Sequence, residues 1–124
     1  MINLNFDGLF VPLIERGLKP HTLRKRDKDI SRGDVLRLTE EVDGERRAFL
    51  ITSCSRVQPV MITPFGEFYI DGISIDPEDT SQISRAEGFK NYDALLLYIK
   101  DKYGLPFNGQ LIHWPRPTYH NRRS

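Results

Sequence analysis

With 124 residues, 39% of them hydrophobic and 28% charged, the chain has room for one hydrophobic core and too little polar bias for disorder. Its single cysteine, Cys54, excludes an internal disulfide, and no apolar run approaches the ~18 residues of a membrane-spanning helix. The first residues also lack the basic and apolar regions of a signal peptide, so a cytoplasmic, non-membrane protein is expected. The net charge of +1 hides a segregation: residues 16–37 hold eight Lys/Arg against three acids, and residues 67–87 hold six acids against Arg85. Arg116, Arg122 and Arg123 follow near the end with no acid among them. Such a local basic patch steers phosphate-bearing partners even on a nearly neutral molecule, and it also describes an ordinary solvated face.

In chain order, residues 11–16 read as a short helix. Pro12 suits its first turn, Phe10, Leu13 and Ile14 share a face, and Gly17 suits the position after it. Lys19 precedes a proline, which favours extended backbone, so a strand is expected at residues 21–24. Its alternation puts Thr22 and Arg24 on one face and His21 and Leu23 on the other. Residues 35–41 and 47–57 read as strands joined by an Asp43-Gly44 turn, and shorter strands follow at 60–62 and 68–70. The acidic stretch 76–84 reads as a loop or a single helical turn. Residues 92–103 read as the best helix, with Asn91 as its cap, Tyr92, Leu95, Leu96, Ile99 and Tyr103 at helical spacing, and Gly104 as its stop. Residues 110–114 form a last strand before Pro115-Arg116-Pro117. The expected fold is α+β, with five or six mainly antiparallel strands in a small closed barrel and two helices at its ends. The domain spans residues 1–114, and residues 115–124 form a basic, flexible tail.

The stretch Gly17-Leu18-Lys19-Pro20-His21-Thr22-Leu23-Arg24 puts an amine, a hydroxyl and a guanidinium within six residues. A threonine hydroxyl is a weak nucleophile that needs a base beside it. Lys19 supplies one only if its pKa falls well below the usual ~10.4. Arg24 is the neighbouring cation that lowers it, or the group that holds a carbonyl or phosphate oxygen. Lys25 and Arg26 then extend a path for phosphates. Plainer readings stand beside these: a solvated turn lysine, a threonine of high strand propensity, and an Arg24 paired with Asp27 or Asp34. Trp114 reads as a core aromatic, Asp34 as a turn former and Cys54 as an inert strand residue. His21, His113 and His120 have no zinc-type spacing with Cys54, so no metal and no cofactor are expected.

Taken in order, Gly17, Lys19, Thr22, Arg24, Gly33-Asp34, Gly88-Phe89 and Ile112-His113-Trp114 resemble the pattern of the ASCH domain family, a compact β-barrel of the PUA-like superfamily. The likeness covers residues 4–114. One branch of that family removes the acyl group from N4-acylated cytidine with a Lys, a Thr and a Glu, without a metal. The resemblance carries the lysine and threonine to Lys19 and Thr22. Alignment on the second helix puts the glutamate at Glu87, with Arg24 positioning the substrate. The motif commonly has threonine after the lysine, and here it has Pro20. The implied function is a metal-free amidohydrolase of N4-acetylcytidine-like substrates, acting as a monomer on a nucleoside or short single-stranded RNA. A non-catalytic RNA-binding module using Lys19, Arg24, Lys25 and Arg26 is the alternative. A ribonuclease, and a regulatory protein that contacts a basic partner through residues 76–84, are lesser ones.

Overall fold

The computed structural model describes residues 1–26 and 28–117. Asp27 and most of the expected basic tail, including Arg122 and Arg123, lie outside the described residues, as does His120. The elements in chain order are β1 (Ile2–Asn5), α1 (Val11–Glu15), β2 (His21–Lys25), β3 (Val35–Val42), β4 (Glu45–Ser53), β5 (Arg56–Ile62), β6 (Phe68–Ile70), β7 (Ile73–Ser74), α2 (Pro77–Glu87), α3 (Tyr92–Tyr103) and β8 (Phe107–His113). The fold is α+β, as expected, and its strands are mostly antiparallel. They form two sheets, of order β1-β3-β4 and β2-β8-β5-β6-β7, with β1 running parallel to β3. No ladder among the described residues joins the two into a closed barrel. Among the described residues no helix is long and apolar enough to cross a membrane.

Two apolar clusters hold these layers. One gathers Leu4, Phe6, Ile14, Leu36, Leu38, Ile112 and Trp114, which makes Trp114 a core residue. The other packs Leu95 and Ile99 of α3 against Leu23, Val60, Ile62, Phe107 and Leu111. Strand β8 contributes alternate residues to each, which is why it is buried along most of its length. Gly109 of β8 is required by a close approach, because a Cβ there would sit 2.5 Å from the Arg24 carbonyl oxygen.

The acidic stretch is the largest departure from expectation, for it opens the eleven-residue helix α2. The Asp76 side chain accepts from the Asp79 backbone N–H at 2.8 Å, Pro77 occupies the first turn, and Glu78 and Asp79 sit where the helix dipole favours anions. The helix lacks a broad apolar stripe, so periodicity alone does not reveal it, whereas its caps do. Smaller departures are β1 and β7, which the sequence reading lacks, and a break at Cys54 that separates β4 from β5. The Cys54 thiol is buried there, and burial pushes its pKa up. Asp34 serves its turn as expected, accepting from the Ser31 N–H at 2.8 Å.

Candidate active site

Two helix ends and one sheet edge bring the site together. After α1 the chain reverses at Gly17, whose φ of 76° suits glycine, and the N–H groups of Leu18 and Lys19 both donate to the Leu13 carbonyl. That turn delivers Lys19 to the free edge of β2. The Trp114 N–H donates to the Pro20 carbonyl at 3.3 Å, so the proline continues the extended line into β2 and does not divert the lysine. On the other side, α2 ends at Gly88 with φ 105°, and the Phe89 N–H returns to the Ser84 carbonyl at 2.9 Å. A Cβ at Gly88 would lie 2.9 Å from the Phe10 ring, so only glycine lets the helix end pack this closely on α1.

Glu87, the last residue of α2, is therefore held against the edge of β2 with only 3% of its surface exposed. Its carboxylate accepts from Lys19 Nζ at 3.0 Å, from the Leu23 N–H at 3.0 Å and from His21 Nδ1 at 2.6 Å. Lys19, 2% exposed, also donates to the Glu87 carbonyl at 2.7 Å. The lysine thus caps the C-terminus of α2, where a helix carries partial negative charge and a carboxylate alone would be unfavourable. Burial works against the carboxylate, yet the Lys19 charge and the His21 hydrogen bond outweigh it and hold the Glu87 pKa below its ordinary value. For Lys19 burial is the largest influence and lowers its pKa, with the Arg24 charge adding to this and Glu87 opposing it.

Above this pair opens a cleft of about 410 Å³. One wall is the segment after β1, with Phe6, Asp7 and Gly8, and another is α3, with Tyr98 and Tyr103. Lys19, Thr22, Arg24 and Glu87 all line it, so four residues spread over 69 positions of sequence converge on one concavity. Arg24 Nε donates to Thr22 Oγ1 at 3.3 Å, which places the two on one face as the alternation predicts. The Arg24 guanidinium also donates to the Asn5 carbonyl at 2.6 Å and lies over the Phe6 ring, 4.6 Å from its centroid. No hydrogen bond joins Lys19 Nζ to Thr22 Oγ1, because the ammonium is turned onto Glu87. Lys25 and Arg26 do not line the cleft. Lys25 lies with Arg24, Lys28 and Tyr103 along an adjoining groove, and Arg26 is further out. Among the described residues no three His, Cys, Asp or Glu side chains converge as metal ligands.

The sequence reading misses His21 as a member of the site. Alternation puts His21 opposite Thr22 on the strand, facing away, whereas the Glu87 carboxylate lies alongside the strand edge, where it meets the His21 ring and the Leu23 N–H while Glu87 also lines the cleft with Thr22. A buried imidazole beside a buried acid is visible only once α2 is recognised as a helix that ends there. Comparison of the chain with protein families, with curated proteins and with solved structures finds no match in any of the three.

Proposed function

We propose that the chain is an ASCH-type, PUA-like domain whose cleft removes the acyl group from N4-acylated cytidine, in a monomeric cytoplasmic protein. The observation that carries this reading is the buried Lys19–Glu87 pair at the floor of a cleft that Thr22 and Arg24 also line. Buried charges are costly for a fold and concentrate where chemistry needs them. The aromatic lining of Phe6, Phe10, Phe89, Tyr98 and Tyr103 suits a planar base.

In this mechanism the Lys19 ammonium first hands a proton to the Glu87 carboxylate it is paired with, a transfer that desolvation of the lysine eases. The Thr22 hydroxyl oxygen then attacks the acyl carbonyl carbon as its proton passes to the Lys19 amine. Arg24, already a donor to Thr22, stabilises the oxygen on which negative charge develops. Lys19 gives the proton to the departing cytosine amine, with Glu87 keeping it directed at that atom. Water then attacks the threonyl ester with Lys19 as the base, and the acyl C–O bond to Thr22 breaks as Lys19 returns that proton to the threonine oxygen. The carboxylic acid leaves as Glu87 gives its proton back to Lys19. The test is incubation of the protein with N4-acetylcytidine, followed by separation of cytidine from substrate. Release of cytidine in proportion to enzyme is the expected result, and its absence at micromolar protein overturns the reading.

A second reading, a non-catalytic RNA-binding module, is favoured by one feature. Arg24 and Tyr103 line both the cleft and the groove holding Lys25 and Lys28, so a bound strand has a basic path out of the cleft. It predicts RNA affinity that falls steeply with salt and no turnover. Salt-insensitive or absent binding contradicts it.

A further inference from the structure

Behind Glu87 stands a row of buried polar side chains that the proposed chemistry does not use. His21 and His113 face each other across β2 and β8, with ring centroids 5.1 Å apart and planes at 73°. His113 Nε2 lies 2.8 Å from Gln58 Oε1, and Gln58 Nε2 donates to the Asp71 carboxylate at 2.9 Å. The Asp71 contact fixes the direction of the Gln58 amide, so Oε1 faces the imidazole and His113 Nε2 must donate to it. Burial, with the charges of His21 and Arg56, lowers the His113 pKa to about 4, so that ring is neutral near pH 7 and carries its proton on Nε2. His21 therefore meets a neutral, fixed ring on one side and an anionic carboxylate on the other.

We infer that His21 is a positioning residue of the site, whose Nδ1–H locks the Glu87 carboxylate in the orientation that presents Oε2 to Lys19. At 2.6 Å the His21–Glu87 contact is the shortest that the carboxylate makes. A carboxylate oxygen so engaged cannot rotate, so Oε2 is left to Lys19 Nζ and the Leu23 N–H. The arrangement has the form of a base oriented by an acid that a third group orients in turn. His21 does not line the cleft and touches no substrate, and its action passes through Glu87 to Lys19. The other titratable groups around it are Lys19 before β2, Glu87 at the end of α2 and the neutral His113 of β8, with Arg56 of β5 acting on His113 from beyond. For its kinetic consequence the inference rests on the proposed amidohydrolase, whereas its structural content does not.

The test therefore has two arms on the full chain. His21→Asn puts an amide N–H close to the place of Nδ1, whereas His21→Gln carries its donor further out and His21→Leu has none. In the first arm the titration of the Glu87 side-chain carboxyl carbon is followed by NMR in each folded variant. Its midpoint is expected to rise by about one to two pH units in H21L and H21Q and to return towards wild type in H21N. In the second arm kcat for N4-acetylcytidine is expected to fall about 10- to 100-fold in H21L and H21Q, with KM little changed and H21N restored. An unmoved midpoint in H21L, or one raised equally in H21N, overturns the inference and assigns His21 to ring packing alone. Should H21L fail to fold, H21N against H21Q decides by the same criterion. If the wild type has no turnover, the proposed function falls while the titration arm still gives its answer.

Discussion

The two ends of β2 belong to one five-residue strand and carry opposite solutions to the same problem of placing cations. At its start, Lys19, His21 and Thr22 are buried, and the lysine and histidine are hydrogen-bonded to a single acid from another element. At its end, Lys25 and Arg26 project into water. The difference comes from what packs against the strand edge: the C-terminus of α2 covers the first half and leaves the second open. A cation in water contributes to long-range steering and little to stability, whereas one in the interior binds the fold to its counter-charge. Under the proposed function the inner half couples structure to chemistry, and the outer half serves only encounter with a ligand.

Breaking the inner half should have the largest effect. Glu87→Ala strands the Lys19 ammonium in the interior and frees the end of α2, and urea unfolding should register a loss of about 3–5 kcal/mol. A loss under about 1 kcal/mol would mean that Lys19 reaches solvent without cost and that the pair does not organise the site. Lowering pH should attack the same half more gradually. The His113 pKa is lowered to about 4 when folded, so between pH 6.5 and 4 the unfolded chain binds more protons and stability falls as pH falls. The lowered Glu87 pKa adds a second loss that begins near the ordinary carboxylate range and is complete only below the folded value. Thermal melts from pH 8 to 3 should fall in that order, and His113→Gln should flatten the upper part of the curve. A melting temperature independent of pH between 6.5 and 4 in the wild type would contradict the His113 assignment.

The outer half should respond least. Lys25→Ala and Arg26→Ala should each change unfolding free energy by under about 0.5 kcal/mol and leave nucleoside turnover intact. Their effect is confined to affinity for longer, phosphate-bearing ligands at low salt. A turnover defect in either variant would extend the catalytic region beyond the cleft and erase the contrast.

Much of β2 was legible because local rules dictated it. Proline after Lys19 fixed the extended entry, alternation put Thr22 with Arg24, and glycine at 17 stopped the preceding helix. Helix α3 was equally plain from its cap and apolar spacing. The position of Glu87 came only from resemblance, since nothing near it in sequence reveals that α2 ends against a strand more than sixty residues earlier. His21 escaped for the same reason, as its partner belongs to that helix end and its neighbour His113 to a strand 92 positions away. The expected barrel rested on strand count, and strand count does not say which edges pair. Among the described residues β4 pairs only with β3 and β2 only with β8, so the ladder stays in two sheets.

The central claim is that the cleft residues serve a reaction as well as the fold, and Thr22 separates the two roles. Thr22→Val keeps the shape and strand propensity of a residue that is 4% exposed and removes only the hydroxyl that Arg24 approaches. Turnover of N4-acetylcytidine and unfolding free energy should be measured on the same preparation. The account predicts that turnover falls about a thousandfold or more while stability moves by no more than about 1.5 kcal/mol. Wild-type turnover in Thr22→Val would contradict it.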